Sequence, residues 1–180
     1  SDLVLGTLFQ QDASLAQGLI NSHYIEQLEQ RRQHEIPYYL GYNASISGLN
    51  KAAKGQGFIN AIVDQDGFIR RTALISEYQH KFYPSLALDT FRIYSLVDKI
   101  KPQWHHQQAF SLISGLQIGN MTIATDSKGQ MLIPYRGGKK SYPYTSAVDI
   151  IQKRIHSNLF DGAVVFVGSS SVGMFDLRTT

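Results

Sequence analysis

Cysteine is absent from the chain, which removes disulfides, thiolate catalysis and sulfur-ligated metals together. A cysteine-free sequence fits the bacterial periplasm, where stray thiols risk wrong pairing, and it fits the cytoplasm as well. Long hydrophobic runs are absent too. The longest, Ala163-Val164-Val165-Phe166-Val167, is far short of the ~20 residues of a membrane helix. The opening residues Ser1-Asp2-Leu3-Val4-Leu5-Gly6 show no basic region followed by a cleavable apolar stretch, so no signal peptide is read there. A basic stripe is also missing. The net charge of +3 is spread over pairs such as Arg31-Arg32, Arg70-Arg71, Lys139-Lys140 and Lys153-Arg154. A nucleic-acid binder concentrates its charge on one face or helix, so no nucleic-acid partner is expected.

What is present describes a folded body. Apolar residues make up 43% and charged residues 17%, with ten tyrosines and nine phenylalanines, which is an ordinary globular composition. A chain of 180 residues suits one domain, 1–180, and at this size folding buries roughly 70% of the surface the unfolded chain exposes. No 20-to-50-residue period repeats, which sets solenoids and propellers aside.

Leu3 to Phe9 reads as a buried strand, followed by a helix from Asp12 or Ser14 to about Asn21 with Leu15, Leu19 and Ile20 inward. The polar stretch Tyr24 to Gln33 extends helically until Pro37, after which Tyr38 to Tyr42 looks extended. A helical turn from Leu49 to Lys54 closes at Gly55. Phe58 to Val63, the turn Asp64-Gln65-Asp66-Gly67, and Phe68 onward to about Tyr78 read as a β-hairpin. Gln79-His80-Lys81 is the next turn. Pro84 then opens a helix whose inward face is Leu86, Thr90, Ile93, Val97 and Ile100.

Lys101 to Ser114 reads as a connection, and Leu116–Ile118, Met121–Ala124 and Met131–Tyr135 as a meander of short strands. Ser146 and Asp149 resemble a capping box for a helix ending near Ser157, with Val148, Ile151 and Ile155 inward. Asp161-Gly162 turns the chain into Ala163 to Val167, an unalternated apolar strand covered on both faces. The expected fold is α/β, with α+β as the alternative: one domain, a mixed sheet with β-hairpins, and flanking helices.

The motifs supply no complete catalytic set. Gly168-Ser169-Ser170-Ser171-Val172-Gly173 follows the apolar strand, where a phosphate loop sits in an open sheet, but Met174 and Phe175 replace the Lys and Ser or Thr of a P-loop. Val172 stands where a hydrolase elbow centred on Ser170 needs glycine. Gly55-Gln56-Gly57-Phe58-Ile59-Asn60 puts asparagine where the dinucleotide fingerprint needs its third glycine. Asp64 and Asp66 lack the other donors of an EF-hand. Adjacent His105 and His106 would point to opposite faces of a strand and so cannot easily share an ion. No metal, no cofactor and no catalytic residue is assigned. Candidate ligand-binding residues are Arg136, a guanidinium held by Gly137-Gly138, and Ser169, Ser170 and Ser171, whose amides and hydroxyls suit a small ligand.

Four ordered blocks carry a resemblance: Gly57 to Arg71, Phe82 to Leu88, Leu132 to Gly138 with Thr145 to Ile150, and Phe160 to Asp176. Within them stand Gly57, Asn60, an Asp64-x-Asp66-Gly67 turn, the pair Arg70-Arg71, Tyr83-Pro84-Ser85-Leu86 and Tyr135-Arg136-Gly137. This pattern resembles the CHASE-two domain, the second type of extracellular sensory domain found on bacterial cyclases and histidine kinases. The family's opening strand ending in Ile-Asp and its Trp-Pro-Trp are not matched; the single tryptophan is Trp104. Either the domain's N-terminal part lies outside this chain or this member diverged.

The resemblance implies a periplasmic or extracellular sensing domain of an inner-membrane receptor, attached to the membrane through segments outside this chain. It implies a homodimer coupled to a cyclase or kinase inside, a small-molecule or protein signal of unknown identity, and no catalysis in this portion. The alternative is a ligand-free protein-interaction or dimerisation module. A hydrolase hidden by divergence would need a convergent Ser, His and acid.

Overall fold

The computed structural model describes residues 2–21, 25–26, 33–107, 110–138 and 141–168. The chain divides into two compact units, Ser1–Ile133 and Pro134–Thr180.

The first unit contains strands β1 (Val4–Gln10), β2 (Ala16–Gln17), β3 (Tyr38–Tyr39), β4 (Gly41–Asn43), helix α1 (Ser47–Ala52), β5 (Gly55–Phe58), β6 (Arg71–Ala73), β7 (Ile75–Tyr78) and β8 (Lys81–Pro84). Helix α2 (Leu86–Tyr94) and strands β9 (Ile100–Gln107), β10 (Phe110–Ile118), β11 (Met121–Ala124) and β12 (Gln130–Leu132) complete it. The fold is mixed α/β. A four-stranded sheet runs in the order β2-β4-β1-β5, beside sheets β3-β7-β8 and β11-β10-β9 and the pair β6-β12. β1 pairs parallel with β5, Val4 opposite Gly55 through Thr7 opposite Phe58, and α2 packs over both.

Two apolar clusters hold the unit. One gathers Ile75, Phe82, Leu88, Ile100 and Leu116 where the β7–β8 hairpin, α2 and β9–β10 meet. The other is aromatic: Phe9 stacks on Tyr39 at 5.4 Å and on Tyr78 at 6.0 Å, with Tyr83 edge-on at 5.5 Å. Such ring pairs add stabilisation beyond the area they bury.

The first strand, the extended Tyr38 to Tyr42 region, the short helix before Gly55 and the turns at Gln79–Lys81 and Gly119-Asn120 are where the sequence places them. Gln79 and His80 take φ of 47° and 62°, the two positive values a tight hairpin turn requires.

Elsewhere tertiary pairing overrides local pattern. No helix forms from Asp12 to Asn21: Asp12 Oδ1 accepts from the Ser14 N–H at 2.9 Å and its hydroxyl at 2.7 Å, a local turn, and Ala16–Gln17 pairs with Tyr42 and Asn43. Leu15 and Leu19 are exposed. The Tyr24 to Gln33 expectation falls largely outside the described residues; of those described there, Ile25 bridges Ile100 and Gln33 bridges Phe110.

The hairpin from Phe58 to Tyr78 is realised only at its turn. Asp64 N–H donates to Phe68 O at 2.8 Å and Gly67 adopts φ 87°, but the leading arm joins β1 and β6 joins β12. Pro84 ends β8, and Ser85 caps α2 by accepting from the Leu88 N–H at 3.2 Å. That helix stops at Tyr94, where Leu96 turns left-handed at φ 55°, so Ile100 begins a strand. Its buried face is Leu88, Asp89 and Arg92, one step round from the expected one. Lys101 to Ser114 is no loose connection; it supplies most of β9 and the start of β10, a long hairpin whose alternate residues turn inward.

In the second unit, helix α3 (Ala147–Ile151) is a single turn with no side-chain cap from Ser146, and Asp149 instead pairs with Arg154 Nη1 at 3.1 Å. Val148 and Ile151 face solvent rather than a core. Gly162 makes the expected turn at φ 68°. The following apolar run pairs with no strand among the described residues, and Phe166 and Val167 are 72% and 93% exposed. An apolar run marks a strand only where a neighbouring strand satisfies its backbone, and none is placed there.

Candidate functional site

The signature stretch Gly57 to Arg71 holds three devices. Gly57 lets β5 lie against the start of α2, since a methyl group there would run into the backbone of Ser85 and Leu86. Asn60 reaches back to β1: its Oδ1 accepts from the Phe9 N–H at 2.9 Å and its Nδ2 donates to Phe9 O at 2.8 Å. The turn itself is clasped by Arg70, which donates from Nη1 to Asp64 Oδ2 at 2.9 Å and from Nη2 to Asp66 Oδ2 at 2.7 Å, with its guanidinium over Phe68 at 5.0 Å. Arg70 holds the Asp66 carboxyl below its ordinary range, and both aspartates pair with that one cation. The aspartates therefore serve the turn, and the sequence reading of them as turn residues stands.

A second constellation was not visible in the sequence. Gln56, pointing away from Gly55 and Gly57, donates from Nε2 to Thr7 Oγ1 at 2.8 Å and to Leu19 O at 2.9 Å, while its Oε1 accepts from the Asn21 N–H at 2.9 Å and from Asn50 Nδ2 at 3.2 Å. Asn21 Nδ2 in turn donates to Asn50 Oδ1 at 2.9 Å. The Gln56 backbone N–H donates to Asp89 Oδ2 at 2.9 Å, and the other Asp89 oxygen accepts from Arg92 Nε at 2.6 Å. Arg92 Nη1 continues to the carbonyls of Val97 and Asp98, at 3.1 and 3.3 Å.

Asp89 is fully buried, and burial pushes its carboxyl up while Arg92 and the Gln56 amide act against that. Beside this network Thr7, Phe9, Asn21, Gln56 and Tyr83 line a cleft of about 10 Å³, room for a single water. The network ties strand to helix; the cleft is too small for a metabolite. The sequence signal for it was Asp89 and Arg92 three apart on α2, a spacing equally typical of a solvated face.

A third group centres on Glu77. Its Oε2 lies 3.1 Å from His34 Nε2 and its Oε1 3.1 Å from His80 Nδ1. The His34 ring lies edge-on to Phe82 at 5.3 Å, and burial lowers its proton affinity against the opposing charge of Glu77. These histidines are far apart in sequence and only the fold brings them to one carboxylate. His105 and His106 alternate on β9, and His106 Nδ1 meets Ser111 Oγ at 2.8 Å.

Of the residues chosen from sequence, Arg136 lies in the second unit on irregular backbone, not at a strand end, since β12 stops at Leu132. It is exposed. Gly137 beside it takes φ 151°, and Ser141 Oγ donates to Gly138 O at 2.7 Å. Ser169, Ser170 and Ser171 lie outside the described residues, so their distance from Arg136 is not defined.

Among curated proteins and among solved structures none matches this chain. A family model for the CHASE2 domain matches residues 2–180, a span that includes the N-terminal stretch where the sequence blocks give out. With the Gly57 to Arg71 signature built into the fold and the match running almost end to end, the chain belongs to the CHASE2 family of sensory extracellular domains.

Proposed function

We propose that this chain is the signal-sensing domain, on the periplasmic or outer face, of a membrane-bound bacterial receptor, coupled to a cytoplasmic cyclase or kinase and without catalysis of its own. The observation that carries the reading is the family match over residues 2–180. The signature residues support it, because Gly57, Asn60, Asp64, Asp66 and Arg70 all have architectural work in the fold. In this reading residues 1–180 act as one sensor within a homodimeric receptor, tethered by membrane segments outside the chain. A signal shifts the dimer between two states by binding one better than the other.

Arg136 with Ser169, Ser170 and Ser171 is the proposed ligand grip, suited to a carboxylate or phosphate. A thermal-shift screen of the chain against periplasmic metabolites tests it: an anionic compound that raises the melting temperature of the chain but not of Arg136→Ala supports the grip, and equal shifts in both refute it. The receptor reading is tested by the coding sequence flanking this chain, where membrane-spanning segments leading to a cyclase or kinase are expected and a cytoplasmic enzyme without them would overturn it.

The second reading is a ligand-free protein-interaction or dimerisation module. The exposed run Val164 to Val167 favours it, because a contiguous apolar surface marks an interaction site. Loss of self-association in Phe166→Asp, measured by sedimentation, would support this reading over the ligand grip.

A further inference from the structure

Residues 33–37 form a strap fixed at both ends. Gln33 O accepts from the Ser111 N–H of β10 at 2.8 Å, and Pro37 O accepts from the Glu77 N–H of β7 at 2.8 Å. Between these ties the His34 side chain is 14% exposed, with its ring 5.3 Å from Phe82 and 6.4 Å from Trp104. Its Nε2 sits 3.1 Å from Glu77 Oε2, and the other oxygen of that carboxylate sits 3.1 Å from Nδ1 of His80, whose side chain is 62% exposed on the hairpin turn. His34 Nδ1 is buried and has no hydrogen-bond partner among the described residues.

We propose that His34, Glu77 and His80 form a proton-operated latch, which holds residues 33–37 against the β7–β8 hairpin while His34 is neutral and releases them when it takes a second proton. The latch goes beyond the sensory reading, and names the proton as a stimulus to which this fold responds.

The chemistry follows from the donor inventory. An ionised carboxylate only accepts, so neutral His34 carries its one ring hydrogen on Nε2 and leaves Nδ1 as a lone pair. A second proton has to go on Nδ1, where it makes a buried N–H with no acceptor among the described residues and a charge against Phe82 and Trp104. Glu77 offsets part of that charge. His80 approaches the same carboxylate from the solvent side, through its other oxygen.

Among the described residues, the other elements around the ring bring no further partner. Phe82 stands on β8 and Trp104 on β9. On the strap itself, the Glu35 carboxylate accepts from Ser127 Oγ. His106 is tied to Ser111 near the Gln33 end. Burial lowers the proton affinity of His34 in the closed state, Glu77 opposes this, and His80 adds to it. Proton uptake and opening are therefore linked.

Native-state hydrogen exchange on the whole chain reads the latch through two amides, Glu77 and Ser111, which donate to the strap. Their protection, corrected for intrinsic exchange, is expected to stay below that of the α2 amide of Asp89 and to fall about tenfold per pH unit on going below about pH 6.5. In His34→Gln the pH dependence of both strap amides should vanish. Protection that stays constant down to about pH 5, or that falls equally in His34→Gln, overturns the latch. Should that variant fail to fold, the ring Hε1 resonance of His34 in the native chain decides: a midpoint below the ordinary histidine value supports the latch, and one at or above it refutes it. The latch rests on side-chain geometry and not on the sensory reading, so its failure leaves that reading untouched.

Discussion

The side-chain amide of Asn60 takes both backbone groups of Phe9, accepting from its N–H at 2.9 Å and donating to its carbonyl at 2.8 Å, across 51 residues of chain. It completes the β1 ladder just past the point where β5 ends at Phe58. Asn60→Ala leaves two partly buried backbone groups of Phe9 unpaired and is expected to cost about 2–3 kcal/mol in urea melts. Asn60→Asp should be no better, because a carboxylate facing the Phe9 carbonyl replaces a donor with an acceptor. A loss under about 0.5 kcal/mol for Asn60→Ala would remove the amide from any structural role.

Asp89 and Arg92 form an ion pair whose side chains are 0% and 7% exposed. Removing one partner strands the other, so Asp89→Ala is expected to destabilise by about 3–5 kcal/mol. The double change Asp89→Leu with Arg92→Met should recover more than half of that loss, since apolar replacement of a whole buried pair is often close to neutral. Additive losses in the double variant would show that the pair's value lies in its separate bonds to Gln56 and to the Val97 and Asp98 carbonyls.

Two glycines are expected to respond with opposite signs. Gly57→Ala pushes a methyl group into the backbone of Ser85 and Leu86 and should cost about 1–3 kcal/mol, with α2 shifted from β5. Gly48, inside α1, has nothing within 4 Å of a would-be methyl, and Gly48→Ala should stabilise by about 0.4–1 kcal/mol. Calorimetric melting of the two variants checks both signs in one experiment.

Acid should weaken the fold through His34. Its folded proton affinity is lowered by burial, so the unfolded chain binds the proton first. Stability is then fully present above the ordinary value of about 6.5 and is lost as pH falls below it toward the folded value. Asp89 acts with the opposite sign, because its carboxyl is raised and the folded chain protonates before the unfolded one, and its effect is complete only below about pH 4. Urea midpoints measured from about pH 8 to about pH 5 should fall, and His34→Gln should flatten that fall. A midpoint that rises over this range would contradict the direction assigned to His34.

Much of the fold could be read locally because it is written locally. The tight turns at Asp64–Gly67 and Gln79–Lys81 and the strand at Met121 depend on neighbours in sequence, and they form where expected. The Asp12 to Asn21 stretch failed because its partner is β4, more than twenty residues away, and pairing there outweighs helix periodicity. The Lys101 to Ser114 region failed for a related reason: Pro102, Trp104 and two histidines look like loop residues, yet a long antiparallel neighbour in β10 fixes them as a strand. The buried face of α2 was displaced by Asp89 and Arg92, charged residues that go inside because they pair with each other and with the Gln56 amide and the Val97 and Asp98 carbonyls. The His34–Glu77–His80 group left no sequence mark at all, since nothing in a chain announces which distant side chains will share a carboxylate.

The parallel pairing of β1 with β5 also sets how this molecule reaches its native state. Strand, clamp and amide network all join the first twenty-one residues to those from Asn50 onward, so none of their stabilisation is collected until a large loop has closed. Such non-local pairing slows folding, and chains built on it cross their barrier in milliseconds to seconds where helical bundles need microseconds. Until β1 docks, β5 offers an open edge to any extended chain nearby, which makes the interval before that closure the period of greatest exposure to misassembly.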